Sequence, residues 1–238
     1  MVQLTAHDDQ ILKALFDPES SGDGFIKPSS TSEQSLPGLP EPQFAVIAVE
    51  ERTILQSLNS AAPTPSEIQE TVLKLSDLIN TYPTYASAYV NRAQARRMLI
   101  PSDSLFSKQE NAQASEEVLR DLDQSISAAT PVSISVSPTP HQCQILGTAH
   151  THRGLLMLMI ADKVRCGSKV YGLGHVLQKI DDAEEFEELA NKDFFTGGQY
   201  GNQTARQLAV KTNPYAKMCS AIVKEAIHRE IESFDLLN

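Results

Sequence analysis

The chain has 238 residues, 41% apolar and 21% charged, with no Trp and a formal net charge of −10. That length holds one sizeable domain or two small ones, and the acidic balance argues against nucleic acid and anionic membrane as partners. The longest apolar run, GLLMLMIA at 154–161, is far shorter than the ~20 residues that span a bilayer. The N-terminus, MVQLTAHDDQ, has no basic region followed by an apolar one, so no secretory signal is expected. Three widely spaced cysteines, Cys143, Cys166 and Cys219, suit reduced thiols in a reducing compartment. The expectation is a cytoplasmic protein.

Taken in chain order, residues 8–16 (DDQILKALF) read as a short helix with Ile11, Leu12, Leu15 and Phe16 on one side. Residues 18–42 hold five Pro, six Ser and three Gly, the composition of a disordered linker. This divides the chain into an N-terminal part, 1–43, made of a short helix and a Pro/Ser-rich arm, and a helical domain, 44–238. A first helix fits 44–58. Pro63 and Pro65 break it, and Ser66 with Glu67 starts a second, where Ile68, Val72, Leu75, Leu78 and Ile79 form a helical stripe. The third, YASAYVNRAQARRML at 85–99, ends at Pro101 and leads into a polar insertion.

A fourth helix fits 111–129, with Val118, Leu119, Leu122 and Ile126 apolar. In the next loop, PVSISVSPTP at 131–140, Val132, Ile134 and Val136 alternate as in a strand, but the flanking prolines favour a loop. A fifth helix covers 141–165 and a sixth 175–192, followed by FFTGGQYGNQ as a turn. Two last helices fit 202–211 and 214–236, separated at Asn213-Pro214. The predicted class is all-α.

The helices come in pairs, and two pairs look alike. RDLDQSIS at 120–127 follows the helix holding Asn91-Arg92-Ala93, and DDAEEFEELA at 181–190 follows the helix holding His152-Arg153-Gly154. Helix pairs that cannot each bury a face alone stack into a solenoid. In that arrangement Ala86, Ala88, Ala93 and Ala95 let a neighbouring helix approach closely.

Tyr89 and Ala93 occupy the aromatic and small positions of the tetratricopeptide repeat (TPR) motif, with Pro83 where the preceding repeat ends. Leu122 and Ser125, then Gly154 and Phe186, fit the corresponding large and small positions. Four blocks, DDQILKALFDPES at 8–20, ASAYVNRAQARRM at 86–98, HRGLL at 152–156 and TARQLAVKTNPYAKMC at 204–219, resemble the tetratricopeptide repeat protein 36 family. Insertions near 59–66, 100–112, 130–141 and 166–178 depart from it. The resemblance implies a right-handed superhelix of about three antiparallel helix pairs, with C-terminal capping helices at about 202–236. It also implies a non-catalytic adaptor with a protein partner, a metabolic enzyme or a chaperone, associated with tyrosine catabolism.

Mapping the motif places Ser87, Val90, Asn91, Gln94, Arg97 and Met98 on the concave groove of the second repeat. It places Thr148, Thr151, His152, Leu155, Leu158 and Met159 on that of the third. A Hsp70/Hsp90-type co-chaperone would need a clamp of Lys and Asn residues. Asn91 matches one clamp position and His152 stands where a basic residue would, but the first helix has no Lys followed by Asn. His141, Cys143, His150 and His152 suggest a metal-dependent enzyme as a rival, yet there is no CxxC or HExxH spacing. No catalytic residue, metal or cofactor is expected. YGLG at 171–174 is a bare GxG, and the Ser-Pro and Thr-Pro pairs at 64, 130, 137 and 139 are candidate phosphorylation sites.

At the C-terminus Pro214 can begin a helix, since its missing N–H is unneeded in the first turn. Tyr215, Met218, Cys219, Ile222, Val223, Ala226 and Ile227 then fall at helical spacing. Burying three or four such side chains, at about 1.5–3 kcal/mol each, rivals the stability of a whole domain. Deleting residues 213–238 should therefore lower the thermal midpoint measured by circular dichroism and promote aggregation. An unchanged midpoint in a monomeric product would show a free segment instead of a cap.

Overall fold

A computed structural model describes residues 25–29, 41–133 and 136–213. Every regular element among them is helical: α1 (Glu41–Leu55), α2 (Pro65–Thr81), α3 (Ala86–Met98), α4 (Ala112–Ala129), α5 (Pro140–Arg165), α6 (Ala183–Gln199) and α7 (Gln203–Thr212). Short 3-10 turns lie at Gln56–Asn59, Gln109–Asn111 and Leu177–Lys179. The expected helices at 8–16 and 214–236, with Pro214, Tyr215, Met218, Cys219 and Ile222, lie outside the described residues.

The helix starts have local causes. Before α2, Thr64 Oγ1 accepts the Glu67 N–H at 3.3 Å, and the Glu67 carboxylate accepts the Thr64 N–H at 2.7 Å. Before α5, Thr139 and Gln142 make the same reciprocal pair at 3.2 and 2.8 Å. Pro65 and Pro140 each fill the first helical position, where a proline costs nothing. Pro65 thus opens α2 instead of breaking a helix, and the Thr64 and Thr139 hydroxyls, two of the candidate phosphorylation positions, are committed to caps. Asp182 and Asn202 cap α6 and α7, accepting from the N–H groups of Glu184 and Ala205.

Helices pack on their chain neighbours in order from α1 to α7, and α3 also touches α5, as α5 touches α7. The alanines of α3 serve this packing: Ala86, Ala88, Ala93 and Ala95 are all buried. Close approach is direct at Ala86, whose carbonyl accepts the Ser125 hydroxyl of α4 at 2.9 Å. On α5, a Cβ at Gly154 would stand 2.8 Å from Phe194 Cε1 and 3.1 Å from the Ala190 carbonyl oxygen, so no larger residue fits there against α6.

Polar ties repeat from pair to pair. Arg92 in α3 grips Asp121 in α4 through Nε and Nη2 at 3.0 and 2.6 Å, and its Nη1 reaches Ser76 in α2 at 3.0 Å. Arg153 in α5 grips Asp193 in α6 through the same two nitrogens at 2.9 and 2.7 Å, and its Nη1 reaches Asp123 in α4 at 2.7 Å. Arg96 joins the first site through Asp121, and through Glu117 at 3.0 Å. Asp121 and Asp193 are buried.

Two expectations are corrected. The sixth helix does not start at 175. Residues 175–182 are turns with a 3-10 segment, and α6 begins at Ala183 and runs through FFTGGQ, which the sequence suggests is a turn. Gly197 and Gly198 stay helical because α7 crosses there. A Cβ on Gly197 would lie 3.1 Å from that of Ala205, and one on Gly198 2.8 Å from Arg206 Cγ. Second, the insertion after α3 is not merely polar. Leu105 and Phe106 are fully buried with Leu119, Leu122, Ile160 and Phe186, and Phe106 O accepts the Tyr171 N–H at 2.8 Å from the loop after α5.

Removing one partner from a buried ion pair strands the other charge. Asp121→Ala, which strands Arg92 and leaves Arg96 only Glu117, should destabilise the fold by ~3–5 kcal/mol in urea or thermal unfolding. Breaking the exposed Lys74–Glu70 pair with Glu70→Ala should cost less than ~0.5 kcal/mol. Similar losses from both would mean the buried pair has no special weight.

Candidate partner-binding site

Apart from Thr148, the residues assigned to the groove divide into four groups. Val90 and Thr151 are buried, Val90 in the core with Phe44 and Ile47, and Thr151 with its hydroxyl on the Gly147 carbonyl at 2.5 Å. Leu155, Leu158 and Met159 are half-buried against the second core. Ser87 and Asn91 turn toward α1. Gln94, Arg97, Met98 and His152 remain at the surface and, with residues 99–102, line a cavity of about 540 Å3.

The partner of Ser87 and Asn91 is Glu51, a residue without an obvious sequence signal beyond being an acid in the apolar stripe of Phe44 and Ile47. Glu51 is only 7% exposed. Its Oε2 accepts from Tyr85 Oη at 2.8 Å and Ser87 Oγ at 2.9 Å, and its Oε1 from Asn91 Nδ2 at 2.8 Å. All three donors are neutral. Burial pushes the Glu51 carboxyl above its usual range, and the hydrogen bonds from Asn91, Tyr85 and Ser87 only partly offset this.

Positive charge stands at the other end of α3. Arg92, Arg96 and Arg153 are consumed by aspartates, whereas Arg97 has no anionic partner among the described residues. Burial and then the Arg97 charge hold the His152 imidazole below its ordinary pKa. The cavity therefore presents an uncompensated guanidinium, a neutral imidazole and the Gln94 amide beside the exposed thioether of Met98.

The four His/Cys residues do not assemble, and no group of three or more metal-binding side chains occurs among the described residues. His141 packs edge-on to Phe44 with ring centroids 4.9 Å apart. His150 Nδ1 lies 2.8 Å from Asp193 Oδ1 with Tyr200 stacked on its ring. Burial pushes the Asp193 carboxyl up, but hydrogen bonds from His150 and Arg153 and their charge hold it lower than an ordinary aspartate. This His–Asp pair does not line the cavity at Arg97. No described helix is long and apolar enough to cross a membrane.

Among the described residues the protein is all-helical, and its consecutively packed helices with small residues at their contacts are consistent with a helical-repeat fold. No protein-family model matches the chain, and no solved structure does. It is 39% identical to the L-tyrosine degradation gene cluster protein hmgX of Aspergillus fumigatus over 242 aligned residues, covering 96% of this chain and 94% of that protein. It is 27% identical to tetratricopeptide repeat protein 36 of Danio rerio and 25% to the Drosophila melanogaster homolog, each covering 94% of both chains. The chain belongs to the family these proteins form, the tetratricopeptide repeat protein 36 family.

Because its folded pKa is raised, Glu51 binds more protons in the folded than in the unfolded chain as pH rises above the ordinary carboxyl range. This contribution to stability is present at low pH and is lost as pH rises through the folded pKa. Glu51→Gln removes the titration while the Tyr85 and Ser87 hydroxyls can rotate to accept. The thermal midpoint of the variant relative to wild type should therefore be higher at pH 7.5 than at pH 5. A difference that shrinks as pH rises would mean that Glu51 is stabilised as the anion.

Proposed function

We propose that this chain is a non-catalytic, cytoplasmic TPR-type adaptor. In this reading α1/α2, α3/α4 and α5/α6 are its three repeats in a right-handed superhelix, and α7 opens the C-terminal cap. It binds a protein partner across α3 and α5, and the name of the Aspergillus relative supports a role in tyrosine degradation, with a metabolic enzyme as the partner. The observation that carries the reading is Arg97, a cation without an anionic partner among the described residues, at a cavity it shares with Gln94 and His152, in a chain of net charge −10. An acidic or hydrogen-bonding segment of the partner supplies what Arg97 lacks.

The co-chaperone alternative is weaker. Asn91, its one clamp match, already donates to the buried Glu51 carboxylate, which repels an incoming carboxylate terminus. A peptide ending in EEVD should show no binding tighter than about 100 μM by calorimetry. Affinity capture from the native cell should recover a partner with wild type and with Lys74→Glu, and lose it with Arg97→Glu at unchanged thermal midpoint. Micromolar EEVD binding would restore the chaperone reading, and retention of the partner by Arg97→Glu would place its binding surface elsewhere.

A further inference from the structure

The sequence places residues 25–29 (Phe-Ile-Lys-Pro-Ser) inside a disordered arm, yet they are seated on the body of the protein. The Ile26 N–H donates to the carbonyl of Gln199, the last residue of α6, at 3.0 Å, and the Ser29 N–H donates to the Pro138 carbonyl just before α5 at 2.9 Å. The Phe25 ring lies 4.1 Å from the Arg206 guanidinium carbon of α7. The segment thus crosses the end of the third helix pair, using a carbonyl that the α6 ladder leaves free.

Residues 25–28 form one wall of a cleft of about 580 Å3. Its other walls come from α5 (Cys143, Gln144, Gly147, Thr148) and the α6–α7 turn (Tyr200, Asn202). Main-chain hydrogen bonds at two points, with side chains read between them, are how an extended peptide is recognised on a preformed surface. The segment covers this cleft without filling it. Phe25 stays 37% exposed, and Lys27 and Pro28 face solvent. A cover with three of its five residues exposed, on a chain rich in Pro, Ser and Gly to either side, is one that exchanges.

We infer that the cleft between α5 and the α6–α7 turn is a docking site for an extended peptide of the pattern aromatic–aliphatic–basic–proline, and that residues 25–29 are its resident, exchangeable occupant. A partner segment with this pattern binds where the chain's own segment leaves. Gln144 and Thr148 are followed on the same face of α5 by His152, two turns and one turn further along, so the cleft adjoins the surface proposed for the partner. The inference stands on the seated segment alone and does not need that proposal.

The test uses the full chain and a fluorescent peptide of residues 22–32 (GDGFIKPSSTS). In wild type the tethered copy competes at an effective concentration on the order of millimolar. The Phe25→Ala/Ile26→Asp variant should therefore bind the peptide about tenfold or more tightly than wild type, with unchanged circular dichroism and thermal midpoint, and a peptide carrying the same two changes should bind neither. Equal affinities, or no binding to the variant, overturn the inference. Should the double variant fold poorly, Phe25→Trp gives a single emitter, since the chain has no Trp. Millimolar unlabelled peptide should then shift its emission to the red, and an unmoved spectrum overturns the inference equally.

Discussion

Two arginines hold successive helices in place, and each does so in the same way. Arg92 joins α2, α3 and α4 through Ser76 and Asp121, and Arg153 joins α4, α5 and α6 through Asp123 and Asp193. A planar guanidinium with fixed donor directions accepts only one relative placement of the helices around it. As a whole, a buried pair of this kind adds little net energy over apolar packing, but a slipped helix would strand a charge. The pairs therefore specify register more than they add stability. They sit immediately before the small residues Ala93 and Gly154, the second of which lies hard against α6.

That close contact governs what else the chain can do. With α6 pressed on Gly154 and α7 on Gly197 and Gly198, those helix contacts leave no space for a larger side chain. The inter-helix insertions then close the second core from outside, with Leu105, Phe106 and Leu173 joining residues of α4, α5 and α6. Three of the four arginines of α3 and α5 other than Arg165 are used in register-setting pairs. Arg97, one turn beyond Ala93, is left for the surface.

The proposed binding face consequently has electrical polarity along α3. At its start the Glu51 carboxyl is buried under Ser87 and Asn91, and at its end Arg97 faces His152. A ligand's carboxylate is repelled at the first end and attracted at the second. The same residue types in the opposite order would make a different binding protein from the same fold.

The sequence by itself determined the helices whose apolar residues recur at helical spacing, α1 to α5 and α7, and the small residues at their contacts. Period and side-chain size are local properties, and Ala86, Ala93, Ser125 and Gly154 are legible without neighbours. The caps at Thr64 and Thr139 were legible too, in Thr-Pro-x-Glu and Thr-Pro-x-Gln, but two prolines there resemble breakers. Only tertiary structure decided the rest. FFTGGQ is helical because α7 leaves no space for a Cβ, which no property of Gly197 or Gly198 announces. Asn91 and Ser87 face a buried acid because α1 lies across α3, a pairing some 40 residues apart in the chain. Phe25 and Ile26, two apolar residues in a polar arm, are seated because α6 ends with a free carbonyl beside them. In each case the deciding partner is distant in sequence, and the energy lies in the contact, not in the residue.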